Sequence, residues 1–246
     1  MTVFKRFSPA SSTKNNARRN KLSKMIIFKY EQHIFSRMII EWLGQSSFRI
    51  FSEDKTIYID PAVGNYENAE KADIILVTHD HPDHFSKEKI KQISTDDTKL
   101  VCPLKVGAEI EGEIMKNGDE KEIGGIKIKA VASYNENKNA HNEGDGNGYI
   151  IELEGKKIYH AGDTDLVPEM NLLETDIALL PVGGTYTMDA EEAVAAAMIL
   201  QPKLAIPMHW GHKTGHEEDA TAFKEGIEME SDMEVKILQP GEKIEV

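Results

Sequence analysis

From residue 38 onward, apolar residues fall in short runs separated by polar, glycine-containing breaks. The runs 38–43, 47–51, 56–60, 73–78, 99–102, 126–131, 148–153, 157–160, 176–180, 203–207 and 234–238 are strand-length, and each predicts a strand. Glu154-Gly155 and Gly124-Gly125 supply hairpin turns. Helical spacing is clearest over 189–200, with Asp189 or a residue just before it as N-cap. Further helices are expected near 86–93, 104–115, 166–173 and 217–227. Strands dominate the first half, and strands alternate with helices later. This order predicts two packed sheets with helices outside, an α/β (α+β) arrangement.

The first 37 residues break this pattern. They are polar, carry nine Lys/Arg against the single acid Glu31, and lack periodic apolar positions. They read as a basic, disordered extension to a domain spanning 38–246. A transit peptide and a start assigned too early, with Met25 or Met38 as the true start, are alternative readings. His33 lies in this extension and gains no role.

The charge balance narrows the function. The chain has a formal net charge of −13, and residues 38–246 alone hold 20 basic against 41 acidic residues, a net of −21. Such a body is poorly suited to binding nucleic acid through phosphates. No apolar run approaches the roughly 20 residues of a membrane span. The one cysteine, Cys102, excludes an intramolecular disulfide and a thiolate-rich metal site. It reads as a buried apolar residue. A cytoplasmic setting is the natural expectation.

The candidate chemistry begins where the run ADIILVT ends, at His79-Asp80-His81-Pro82-Asp83-His84. His79 and His81 alternate and can face one metal ion. Asp83 and His84, past the turn at Pro82, can reach a second a few Å away. More ligands are needed, and three suitable groups follow other strand ends: His141, Asp163 and His209.

Taken in order, THDHPDH, HNEGDGNGY, YHAGDT and PMHWG resemble the successive motifs of the metallo-β-lactamase superfamily. WLGQSSF, IYIDP and LLPVGGTYTMDAEEA further resemble a branch of small metal-dependent hydrolases related to L-ascorbate-6-phosphate lactonase. The similarity spans about residues 38–246. It implies a four-layer αββα sandwich with the site at one edge between the sheets. It also implies that His79, His81 and His141 hold one metal and Asp83, His84 and His209 a second, with Asp163 bridging both. Two departures stand out. Asn135, a poor metal ligand, stands where several relatives have the histidine of the third motif, and His141 is taken instead. Gln45 stands where relatives often have histidine.

The expected function is hydrolysis of an ester, lactone, amide or phosphoester in a small, anionic substrate. Two divalent ions, zinc first and manganese or iron as alternatives, would act through a bridging hydroxide. The formal charge left at the site is about +1, suited to polarising a carbonyl or holding a phosphate oxygen. Asp83 and Asp163 are expected to be catalytic as well as ligating, and His160 to touch substrate or donate a proton, unless it is a packed strand histidine. Asp60 is expected to orient a ligand. Thr185, Tyr186 and Thr187 precede a helix whose N-terminus suits an anion, though capping explains them equally. His212 and His216 read as rim or solvated residues, and Met188 and Met198 as core. A nuclease and a non-catalytic metal-binding protein are the competing readings. The sequence leaves the oligomeric state open.

Overall fold

Alternation decides which face of each strand is buried, and two sheets result. A computed structural model describes residues 38–52 and 55–246; the expectation for residues 1–37 falls outside these. The first sheet runs β14-β1-β2-β3-β4-β5-β6, built from Ile39–Gly44 (β1), Ser47–Ser52 (β2), Lys55–Ile59 (β3), Ile74–Leu76 (β4), Lys99–Cys102 (β5), Glu113–Ile114 (β6) and Lys243–Glu245 (β14). The second runs β13-β12-β11-β10-β9-β8-β7, from Glu120–Ile123 (β7), Ile126–Val131 (β8), Gly148–Leu153 (β9), Lys156–His160 (β10), Ile177–Pro181 (β11), Leu204–Met208 (β12) and Glu234–Val235 (β13). Both are mixed: β3, β4 and β5 pair in parallel, as do β10, β11 and β12.

Ile57, Ile59, Ile74, Leu76 and Val101 point inward to the core shared with the second sheet. Their neighbours Tyr58, Ile75, Val77, Leu100 and Cys102 point outward into a separate cluster with Ile90, Ile93 and Val106. Those last three come from helices α1 (Lys87–Ile93) and α2 (Leu104–Gly107). On the second sheet lie α3 (Ala190–Leu200) and α4 (Glu217–Glu230), which bury Ala193, Ala196, Ala197, Phe223 and Ile227. The result is the expected αββα sandwich.

The expected caps and turns hold locally. Asp189 accepts from the Glu192 backbone N–H, while the Glu192 side chain accepts from Asp189 N–H. Glu154 and Gly155 both have positive φ, as do Gly124 and Gly125, which suits tight hairpins.

The expected helix over 104–115 is corrected. It stops at Gly107, and 113–114 instead pair with β5. Gly112 lies so close to β5 that an added Cβ would meet the Leu100 side chain at 2.9 Å. The region 166–173 forms a 3-10 helix, Pro168–Leu172. Strands β6, β7 and β14 escape the hydrophobic pattern because each is short and charged, as edge strands often are. No described helix is long and apolar enough to cross a membrane.

Asp189→Ala removes the α3 cap at an exposed side chain that is none of the seven expected ligands. It is expected to cost about 1 kcal/mol, a fall of roughly 2–4 °C in Tm for a domain of this size. Thermal unfolding measures this, and bound metal should not change.

Candidate metal centre

Six chain segments reach one edge of the sandwich. The 79–84 loop follows β4, the 132–147 loop joins β8 to β9, and Asp163 follows β10. His209 follows β12, Asp60 ends β3, and Gln45 occupies the β1–β2 turn. Parallel strands place their carboxyl ends side by side, which is where α/β sheets collect ligand-binding groups.

The structure brings all seven expected ligand residues together. Ligand atoms of His79, His81 and His141 lie within 4.8 Å of one another, as do those of Asp83, His84 and His209, and those of His79, His84 and Asp163. Asp163 is central. Its Oδ2 is 3.1 Å from His209 Nε2, 3.5 Å from His141 Nε2 and 4.0 Å from His79 Nε2, and its Oδ1 is 3.2 Å from His84 Nε2. His141 Nε2 and His81 Nδ1 face each other at 3.2 Å. Two nitrogens on one tetrahedral zinc, each about 2.0–2.1 Å from it, would stand about 3.3 Å apart.

Hydrogen bonds behind the imidazoles fix which nitrogen is available. Asn135 Oδ1 accepts from both His141 N–H and Nδ1, so the Nδ1 proton is committed and Nε2 faces the cluster. Asp60 Oδ2 takes His84 Nδ1 at 2.7 Å. Thr78 Oγ1 donates to Asp60 Oδ2 and therefore accepts from His79 Nδ1. Thr214 Oγ1 meets His209 Nδ1 at 3.2 Å. Each of these rings turns its Nε2 toward Asp163, the orientation that metal-binding histidines need. The expected orienting role of Asp60 matches this geometry.

Buried atoms without hydrogen-bond partners test the fit of a metal. Among the described residues they include His79 Nε2, His84 Nε2, Asp163 Oδ1 and Gln45 Oε1. His84 Nε2 and Asp163 Oδ1 are close enough for a hydrogen bond yet make none. Buried polar atoms are normally satisfied, and a shared cation satisfies these lone pairs together.

The charge states agree. Burial, with the His84 charge nearby, pushes His79 well below its ordinary pKa. Burial also lowers His141, outweighing the pull of Asp163. Both are then neutral at pH 7, the form that ligates metal. His84 is also desolvated, but Asp163 and Asp60 on either side raise its pKa. Burial alone would raise Asp163, yet His209 and His84 hold it well below the usual carboxylate range.

His160 is corrected. It is fully buried, its Nε2 donates to the Ser46 carbonyl at 2.9 Å, and its Nδ1 accepts from Gly162 N–H. Both nitrogens are engaged by the backbone, so it anchors the β1–β2 turn, as a packed strand histidine does. The anion-binding reading of Thr185–Thr187 also gives way to capping: Thr187 is buried, and the Asp189 carboxylate occupies the α3 N-terminus. His212 and His216 are exposed. Met188 and Cys102 are buried as expected, and Met198 packs against the core.

Several contributors carried no readable sequence signal. Asp165 accepts from Asn135 Nδ2, Glu136 N–H, Asn137 N–H and Lys138 Nζ, and so shapes the loop that presents His141. Its place two residues after Asp163 was the one available hint. Thr78, Asn135 and Thr214 lie one, six and five residues from the histidines they contact, but hydroxyl and amide residues at such offsets follow no fixed pattern that would single them out. Gly183 lies under His209, where an added Cβ would meet the His209 carbonyl at 2.6 Å and Nδ1 at 2.8 Å.

A sandwich with a His/Asp cluster at its sheet edge defines a metallo-β-lactamase-type metal-dependent hydrolase. The family model for the beta-lactamase superfamily domain matches residues 39–209. A UPF0173 metal-dependent hydrolase of Methanopyrus kandleri is 32% identical over 85% of this chain and all of its own length. One from Staphylothermus marinus is 36% identical over 83% of this chain and 97% of its own. Among solved structures, a metal-dependent hydrolase of Parabacteroides distasonis superposes with a TM-score of 0.76, at 32% identity over 82% of this chain and 94% of its own. Igni18, a metallo hydrolase of Ignicoccus hospitalis, gives 0.73 at 26% identity over 86% and 99%. The chain belongs to the beta-lactamase superfamily, in its UPF0173-like group of metal-dependent hydrolases.

Asp60→Asn is expected to lower divalent-metal affinity on the order of 10–100-fold, because it weakens the hold on His84; competition with a chelator measures this. Gly183→Ala should likewise reduce bound metal by displacing His209, whereas Gly125→Ala, whose added Cβ has nothing within 4 Å, should leave metal content unchanged.

Proposed function

We propose that this hydrolase holds two divalent cations, with zinc as the resident metal, and cleaves an ester, lactone, amide or phosphoester bond in a small, anionic substrate. In this reading His79, His81 and His141 hold one cation, Asp83, His84 and His209 the other, and Asp163 bridges them. The observation that carries it is the convergence of committed imidazole tautomers on Asp163, with His79 Nε2, His84 Nε2 and Asp163 Oδ1 buried and unpartnered. Two ligand sets, one of three imidazoles and one of two imidazoles and a carboxylate, meeting around Asp163 suit two cations better than one. The choice of zinc draws on the imidazole-rich donor set, and a Thermotoga maritima structure described as a Zn-dependent hydrolase of this superfamily, 28% identical to this chain, agrees with it.

Bound there, the cations supply Lewis acidity and lower the pKa of a coordinated water from about 15.7 to about 7. The chain's own groups do the rest. Asp163, held ionised by His209 and His84, offsets cation charge without needing a proton. Asp83 is only partly buried and stands beside His84 and His209, so its carboxylate can bind, orient a water and take up a proton. The mouth is lined by Asp80, Lys105, Asn142 and Asp145 together with His81 and His141. Lys105 is the cation there, bonded to Asp145 at 2.7 Å. It gives an anionic substrate group a place to dock. The acidic body, with its net −21 after residue 37, disfavours a nucleic-acid substrate.

The test combines metal analysis of the purified protein with a panel of lactones, phosphodiesters, thioesters and acylated amines. The expected result is about two equivalents of divalent metal and turnover of at least one panel class. Turnover should vanish on metal removal and return on adding zinc. Asp163→Asn and His81→Ala should each reduce bound metal and abolish turnover. Full activity of the metal-free protein would overturn the proposal.

A further inference from the structure

We infer that Gln45 positions Asp83 and thereby sets the affinity of the second cation site, an inference that rests on the two-cation reading above. Gln45 sits at the β1–β2 turn, fully buried, with φ of +53°. A non-glycine residue held left-handed costs free energy that the surroundings must offset. Here three elements hold it. Its carbonyl accepts from Trp42 Nε1 and from the His209 backbone N–H, each at 2.9 Å. His160, from β10, pins the neighbouring Ser46 carbonyl at 2.9 Å. Trp42 in turn packs at a tilt against Trp210, the residue after His209, with ring centroids 4.7 Å apart.

The side chain then reaches the cluster. Gln45 Nε2 donates to Asp83 Oδ2 at 3.2 Å. A carboxylate that gives one oxygen to a fixed donor presents the other in one direction, which is how outer hydrogen bonds orient metal ligands. Gln45 therefore touches two members of the Asp83–His84–His209 set, one through its side chain and the other through its backbone. His209 is itself left-handed, with φ of +60°, so the two strained residues brace each other.

The donor end of the Gln45 amide is committed to Asp83. Its Oε1 is buried without a hydrogen-bond partner; among the described residues Ser46 Oγ, Tyr159 Oη, His79 Nε2, His84 Nε2 and Asp163 Oδ1 share that state.

Side-chain substitution isolates the effect, because the carbonyl bonds to Trp42 and His209 survive it. Gln45→Met keeps length and removes the donor. Gln45→Glu keeps shape and sets a second carboxylate against Asp83. Gln45→His restores a nitrogen donor. Zinc alone is the probe, titrated into metal-free protein with a competing chelator and counted by elemental analysis. The wild type should take two equivalents in two separable steps. Gln45→Met should weaken one step on the order of 10–100-fold and leave the other within about threefold, and Gln45→His should recover most of the loss. Gln45→Glu should change the same step only. A role confined to the fold predicts a different result: lower Tm of the metal-free variants with both zinc steps intact. That result, or equal weakening of both steps, overturns the inference. If the wild type binds a single equivalent, the two-cation reading fails and this inference falls with it.

Discussion

A buried carboxylate ringed by imidazoles is the constraint on which this structure turns. Asp163 is 4% exposed, and an ionised carboxylate taken from water costs several kcal/mol unless partners surround it. Its partners come from three other segments, at His79 and His84, at His141, and at His209. The fold must therefore bring the loops after β4, β8 and β12 to the end of β10. Two sheets packed face to face with parallel strands do this, because the carboxyl ends of those strands share an edge.

A second layer makes the cluster rigid. Asp60, Thr78, Asn135, Asp165 and Thr214 each commit a nitrogen or a loop that would otherwise rotate. Three of the non-glycine residues with positive φ, Gln45, Asp60 and His209, lie in this region. Such backbone persists only where surroundings over-determine it, and it concentrates at functional sites. The strain here is shared between segments. His209 N–H bonds Gln45, and Ser47 Oγ bonds the Asp60 carbonyl.

These features connect the fold to hydrolysis in a small, partly acidic mouth. Neutral His79 and His141 and ionised Asp163 are already in ligating form at pH 7, so binding a cation at those residues demands little proton rearrangement. Conversely, His84 lies between two carboxylates that raise its pKa, so a cation bound there would have to compete with its proton. The rim differs in kind from the interior: Lys105 and Asp145 are partly exposed and pair with each other.

Much of this is legible in the amino-acid sequence alone. Alternation placed most central strands to within a residue or two, and Asp189 marked the start of α3. Hydrophobic spacing failed at β6, β7 and β14, where a charged edge strand buries too little to leave a pattern. The 79–84 cluster was legible because its residues are adjacent, and His141, Asp163 and His209 because each follows a strand end within a family-like motif. Their convergence, the tautomers set by Asn135 and Asp60, and the bond from Gln45 to Asp83 were decided only by the tertiary structure. The same holds for His160, whose sequence position beside HAGDT suggested chemistry while its burial gives it a turn to hold. Sequence records which groups a strand delivers to its end. What each group faces depends on segments dozens of residues away, and only packing fixes those distances.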